Sequence, residues 1–156
     1  MRFTDGTAEE VDIIVYATGY NVEFPFFDPE FLSAKDNHLP LFKRAIRPDV
    51  PNLFFMGLAQ PLPTLINFAE QQAKWLAAHL VGDYALPSEA EMEVAIVADE
   101  KLYLGHFYES PRHKMQVDFN RYVNDLKKEW KKGAKRAKSA GNPLPILAKV
   151  ARKEAA

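Results

Sequence analysis

The chain contains no cysteine. That excludes a disulfide framework, a thiolate metal site and a cysteine nucleophile, and it suits the cytoplasmic location expected here. Glycine is scarce, at positions 6, 19, 57, 82, 105, 133 and 141. None of these is spaced as GxGxxG or GxxxxGKS/T, so no phosphate-cradling glycine loop of either recognised kind is present. His38, His79, His106 and His113 match no zinc spacing, and no metal site is expected. Ser33, Ser88, Ser110 and Ser139 lack the GxSxG context of a nucleophile elbow. No apolar run reaches transmembrane length, and the opening MRFTDGTAEE is too polar for a signal peptide.

The small net charge of −1 hides an asymmetry. Residues 127–156 carry ten Lys/Arg against two Asp/Glu, and the first 126 residues carry ten against nineteen. A basic tail of this kind marks nucleic acid or an anionic membrane in some proteins; more often it is the solvated face of a helix.

With 156 residues, 47% of them hydrophobic, the chain is long enough for one domain with a sizeable core. Its reading centres on Val11 to Tyr20, VDIIVYATGY. The unbroken run Ile13 to Ala17 closes on Thr18 and Gly19, as in a parallel strand buried on both faces. Ligands in such α/β sheets bind outside the carboxyl ends of the strands, where Thr18, Gly19 and Tyr20 fall. Asp5-Gly6 predicts a tight hairpin-like turn leading into this strand. Residues 21–50 hold Pro25, Pro29, Pro40 and Pro48 among several phenylalanines, which predicts an ordered, irregular connection with a short helix at Pro29–Ala34.

A second apolar run, Leu53 to Met56, also closes on glycine, at Gly57. LAQPLP, residues 58–63, then reads as a loop and Thr64 as an N-cap. Leu65, Phe68, Ala69, Ala73, Leu76, Ala77 and Leu80 form a helical stripe, and Gly82 suits the C′ position. Ser88 and Glu91 form a capping box ahead of a helix over about 88–104. A linker over 105–114 leads to a third helix over about 116–138, with the stripe Phe119, Tyr122, Val123, Leu126, Trp130 and Ala134 and a basic opposite face. Gly133 is expected to weaken it, and GNPLP to stop it.

Two stretches are left that could touch a ligand. One is ATGY, residues 17–20; the other is GLAQP, residues 57–61, just before a helix N-terminus. A helix start presents unpaired N–H groups and positive dipole density to an electron-rich group. The plainer alternative is that each glycine only ends a strand and makes a turn.

Taken together, the two motifs resemble a known family. DIIVYATGY is similar to the ATGY signature of flavin-containing monooxygenases. PNLFFMGLAQP with EQQAKWLAAHL resembles the segment that returns the chain to the flavin domain in that family, and SPRHKMQVDFNRYVNDL resembles its C-terminal helical part. The resemblance runs from about Phe3 to about Lys138. It implies an enzyme with FAD in one Rossmann-like domain and NADPH in a second, inserted one. Such an enzyme uses O2 through a C4a-hydroperoxyflavin to oxygenate a nucleophilic nitrogen or sulfur of a small-molecule substrate, or a ketone.

Neither glycine fingerprint of such an enzyme is found here. The expectation is therefore an incomplete Rossmann-like α/β fragment with a C-terminal helical extension, inactive alone and lacking the N-terminal nucleotide-binding region. Residues 1–20 would end the NADP-binding domain and 21–50 would be the connection. Residues 51–83 would be the last strand and helix of the FAD-binding domain, and 84–156 the extension. The resemblance places Ala17, Thr18, Gly19 and Tyr20 at the junction of the two domains. It sets Gly57, Gln60, Pro61, Leu62 and Thr64 against the flavin. None of these is an acid, base or nucleophile, so no catalytic residue is expected among them. The two apolar strands, deprived of neighbours, would leave an exposed patch. No nucleic acid partner follows from the resemblance. The alternative is a non-catalytic module that binds an anionic partner through the basic helix 127–138, with binding that weakens as salt rises. The missing CxxC argues against a disulfide reductase of related fold.

Overall fold

Three helices and one short parallel strand pair build the structure, a computed structural model that describes residues 1–62, 64–104 and 114–145. In chain order the elements are β1 (Gln60–Leu62), α1 (Leu65–Leu80), α2 (Glu89–Leu104), β2 (Gln116–Asp118) and α3 (Phe119–Ser139), with a single 3-10 turn at Lys35–Asn37 before them. β1 and β2 are parallel, with Gln60 opposite Gln116, Pro61 opposite Val117 and Leu62 opposite Asp118.

The helix boundaries follow local chemistry. Thr64 is extended and precedes α1, although its side chain makes no capping bond. The other end closes as a Schellman motif. Gly82 takes φ +87°, its N–H donates to His79 O, and Asp83 N–H donates to Ala78 O. The capping box ahead of α2 is formed: Ser88 N and Oγ both reach Glu91 Oε2, at 2.8 and 2.7 Å. Asp118 caps α3 by accepting from Arg121 N at 2.8 Å.

The main core unites Phe42, Ile46, Phe68, Trp75, Tyr84, Met92, Ile96, Val117, Tyr122 and Leu126, so the connection, α1, α2, β2 and α3 share one interior. A smaller cluster of Leu32, Leu39, Leu41 and Phe55 sits beneath the aromatic connection. The buried face of α1 is Phe68, Gln72, Trp75, Leu76 and Ala78, which differs from the expected stripe, since Leu65, Ala77 and Leu80 are exposed.

Several expectations are corrected. The Asp5-Gly6 turn is present, with Phe3 N donating to Thr7 O at 2.9 Å. The strand it was to feed is not. Residues 11–20 form neither strand nor helix and are all exposed, Ile13 at 81% and Val15 at 83%. A strand exists through hydrogen bonds to a neighbour, and among the described residues none pairs with this run. The exposed apolar patch expected of unpartnered strands is therefore seen here. The second run likewise shrinks to a bridge between Phe54 and Ile46, with Phe55 N bonded to Ala45 O at 2.7 Å. Where a helix was expected at Pro29–Ala34 there is a turn in which Phe31 N and Leu32 N both donate to Asp28 O. The loop 58–63 instead contains β1, because Gln60 N finds Met115 O at 2.7 Å. Of the 105–114 linker, residues 105–113 lie outside the described residues.

Candidate functional site

The second candidate stretch is built around Gly57. Gly57 has φ +72°, a left-handed conformation that favours glycine. Its α-carbon faces the first turn of α1: a β-carbon there would sit 3.7 Å from Ala69 Cβ and Leu65 Cδ1. From this turn the chain enters β1, where Pro61 is buried while Gln60 and Leu62 are exposed. A proline fits here because each strand of a two-stranded ribbon is an edge strand, not the centre of a sheet. Met56, Leu62, Leu65 and Ile66, all exposed, flank the turn and the start of α1. The first turn of α1 carries no acidic side chain. Gly57, Gln60, Pro61, Leu62 and Thr64 thus lie together along one short path at the α1 N-terminus.

Gln72, a residue the sequence reading did not single out, holds this path in place. It is wholly buried in α1, and its side-chain Oε1 accepts from Gly57 N–H at 2.8 Å. Its amide Nε2 donates to Arg44 O at 3.1 Å and lies 3.4 Å from Lys43 O. It also reaches Tyr122 Oη at 3.1 Å, and that hydroxyl donates to Lys43 O at 2.8 Å. Lys43 and Arg44 both have positive φ, 47° and 56°, and Ala45 N bonds back to Phe42 O, a tight turn in a conformation costly for residues with a β-carbon. One buried amide therefore joins a strained turn, the Gly57 turn and α3. The sequence does carry a signal for it. Gln72 falls at helical spacing between Phe68 and Trp75, where a polar residue must find buried partners.

The first candidate stretch is not brought into a packed site. Ala17, Thr18, Gly19 and Tyr20 are exposed, Tyr20 at 94%, and a β-carbon on Gly19 would meet nothing within 4 Å. Its anchor is the Asn37 side chain, which donates to Tyr20 O at 3.2 Å and accepts from Val22 N at 2.7 Å. Two open clefts, of about 500 and 640 Å3, border the aromatic connection, and neither is lined by residues 57–64.

His79 and His38 have structural roles, while His106, His113 and Ser110 lie outside the described residues. His79 Nδ1 lies 3.1 Å from Tyr84 O, and His38 pairs with Glu100 at 2.7 Å. Among the described residues there is no cluster of His, Asp and Glu able to hold a metal. No described helix is long and apolar enough to cross a membrane. On α3, Lys127, Lys128, Lys131, Lys132, Lys135 and Lys138 are all exposed. At about 100° per residue they share one side of the helix.

A family model for flavin-binding monooxygenase-like proteins matches residues 1–136. The N-oxide-forming dimethylaniline monooxygenase 2 of Oryctolagus cuniculus is 35% identical over 127 residues, which cover 80% of this chain and 24% of that protein. Flavin-containing monooxygenase 2 of Homo sapiens is 34% identical with the same coverage. The solved S-allyl-L-cysteine S-oxygenase of Allium sativum superposes with a TM-score of 0.65 at 31% identity, over 83% of this chain and 30% of that one. The chain thus spans about a quarter of the length of the curated relatives it matches.

Proposed function

The chain belongs to the flavin-binding monooxygenase-like family and has a partial α/β FAD/NAD(P)-binding fold, and from that premise we propose that it is the C-terminal part of a flavin-dependent monooxygenase. It would use FAD, NADPH and O2 to place one oxygen atom on a small-molecule substrate, at a nucleophilic nitrogen or sulfur or on a ketone, with the other oxygen leaving as water at the expense of the two electrons of NADPH. The family match across residues 1–136 carries this reading. In support, the names of two relatives specify N-oxide formation and S-oxygenation, both oxygen transfers to an electron-rich atom.

The residues present fit one border of a flavin site. The α1 N-terminus has no side-chain cap or first-turn acid, and exposed apolar side chains flank it. The flavin, when bound, supplies the reaction with oxygen. The side chain of Gln60, with backbone groups of Leu62 and Thr64, would hold the electron-rich pyrimidine edge, and the helix dipole would favour negative charge there. Met56, Leu62, Leu65 and Ile66 would exclude water from that border. Ala17 to Tyr20 would stand where the NADP-binding domain hands over to the connection. The division into 1–20, 21–50, 51–83 and 84–156 is part of the same proposal.

Without a glycine-rich loop, residues 1–156 alone should neither retain FAD nor oxidise NADPH. Adding a segment that supplies the two nucleotide loops should restore both, as read by flavin fluorescence and NADPH absorbance. Robust FAD-dependent NADPH oxidation by these residues alone would refute the partial-site reading.

A second reading rests on the lysine face of α3, as a docking surface for an anionic partner. It predicts that the chain sediments with vesicles of anionic lipid at low salt and is released at high salt. Absence of sedimentation at low salt would count against it.

A further inference from the structure

We propose that Gln72 is the positioning residue of the flavin border, acting through Gly57 rather than by touching the cofactor. This rests on the flavin reading above. Gly57 N–H would otherwise be free to reorient, since glycine at positive φ has several accessible conformations. Gln72 Oε1 fixes that N–H at 2.8 Å, and so fixes the direction in which the chain leaves toward Gln60.

The side chain is itself immobilised from two sides. Its Nε2 is held by Arg44 O and Tyr122 Oη, both at 3.1 Å. An amide pinned in this way cannot swap its oxygen for its nitrogen without facing N–H to N–H at Gly57 and carbonyl to carbonyl at Arg44. The orientation of Gly57 is thereby tied to α3 and to the 43–44 turn. Tyr122 completes the arrangement: its hydroxyl accepts from Gln72 and donates to Lys43 O, and its ring packs tilted against Phe68 with centroids 4.4 Å apart. A residue of the same bulk but without the amide would fill the space and leave Gly57 unfixed.

The test compares Gln72→Met with wild type in the flavoenzyme assembled with this chain. FAD and NADPH dissociation constants are measured separately, with Gly57 amide exchange followed by NMR. Gln72→Met should weaken FAD about tenfold, leave NADPH within about twofold, and speed exchange at Gly57. If that variant does not fold, Tyr122→Phe decides, because it removes one anchor of the Gln72 amide and leaves the bond to Gly57. FAD affinity should then fall about threefold, again without change for NADPH. Unchanged FAD affinity, or equal loss for both nucleotides, overturns the assignment, the second because it reports general loosening. A wild-type enzyme that takes up no FAD overturns the flavin reading itself, an outcome visible before any variant is made.

Discussion

Gly133→Ala is expected to destabilise the chain by about 3 kcal/mol, although alanine is intrinsically the better helix residue by about 1 kcal/mol. The new β-carbon would lie 1.9 Å from Tyr84 Cε2 and 2.1 Å from Cδ2. The ring has no room to withdraw. It packs edge-on against Trp75 at 5.3 Å and His79 at 6.2 Å, and its hydroxyl donates to Glu129 at 2.9 Å. Glu129 is in turn held by Arg136, whose guanidinium also lies over the Tyr84 ring. Overpacking therefore outweighs propensity. Urea unfolding followed by circular dichroism checks the sign, and a variant as stable as wild type would show that the ring yields. In a Tyr84→Ala background the same change should become neutral or favourable, giving a large coupling between two residues far apart in sequence.

The second large effect is expected in alkali. Tyr84, Tyr103 and Tyr122 all have phenols pushed well above their ordinary value, chiefly by burial. The carboxylates of Glu129 and Asp125 add to this at Tyr84 and Tyr103. Above about pH 10 the unfolded chain releases these three protons while the folded chain keeps them. The unfolded state then binds fewer protons, so stability falls as pH rises, by up to about 4 kcal/mol per pH unit when all three contribute. Below about pH 9 the three phenols should have no influence. Urea midpoints measured from pH 8 to 11 test this, and Tyr103→Phe should remove about a third of the slope. A midpoint that stays level through pH 11 would contradict the burial of these groups.

How much was legible in the sequence depended on how local the determining physics was. The three helices, the Ser88–Glu91 box and the Gly82 terminus are set by residues within a few positions of one another, and all can be read directly. β1 and β2 could not be, because each is only three residues long and their pairing joins Gln60 to Gln116 across the intervening α1 and α2. The run Ile13 to Ala17 reads as a strand because its composition suits one, yet composition supplies no partner. At the candidate site, the Gly57 turn and the start of α1 are legible, while the strand between them is not. Gln72 is less so, since its partners sit at Arg44, Gly57 and Tyr122. Gly133 shows the same limit. Its helix-weakening propensity is visible in the sequence, while the ring that requires it comes from the segment between α1 and α2.

The parallel register of β1 and β2 has an electrostatic consequence. Each strand runs almost directly into a helix, so α1 and α3 both start from the same end of the pair. Two positive helix ends therefore lie near one another and repel. Asp118 sets a carboxylate against the start of α3, whereas α1 has neither a side-chain cap nor an acid in its first turn. The uncompensated partial charge remains on the helix beside Gly57. An anionic group seated there would relieve a repulsion that the fold otherwise carries, so its binding would draw on the architecture of the strand pair as well as on the atoms it touches.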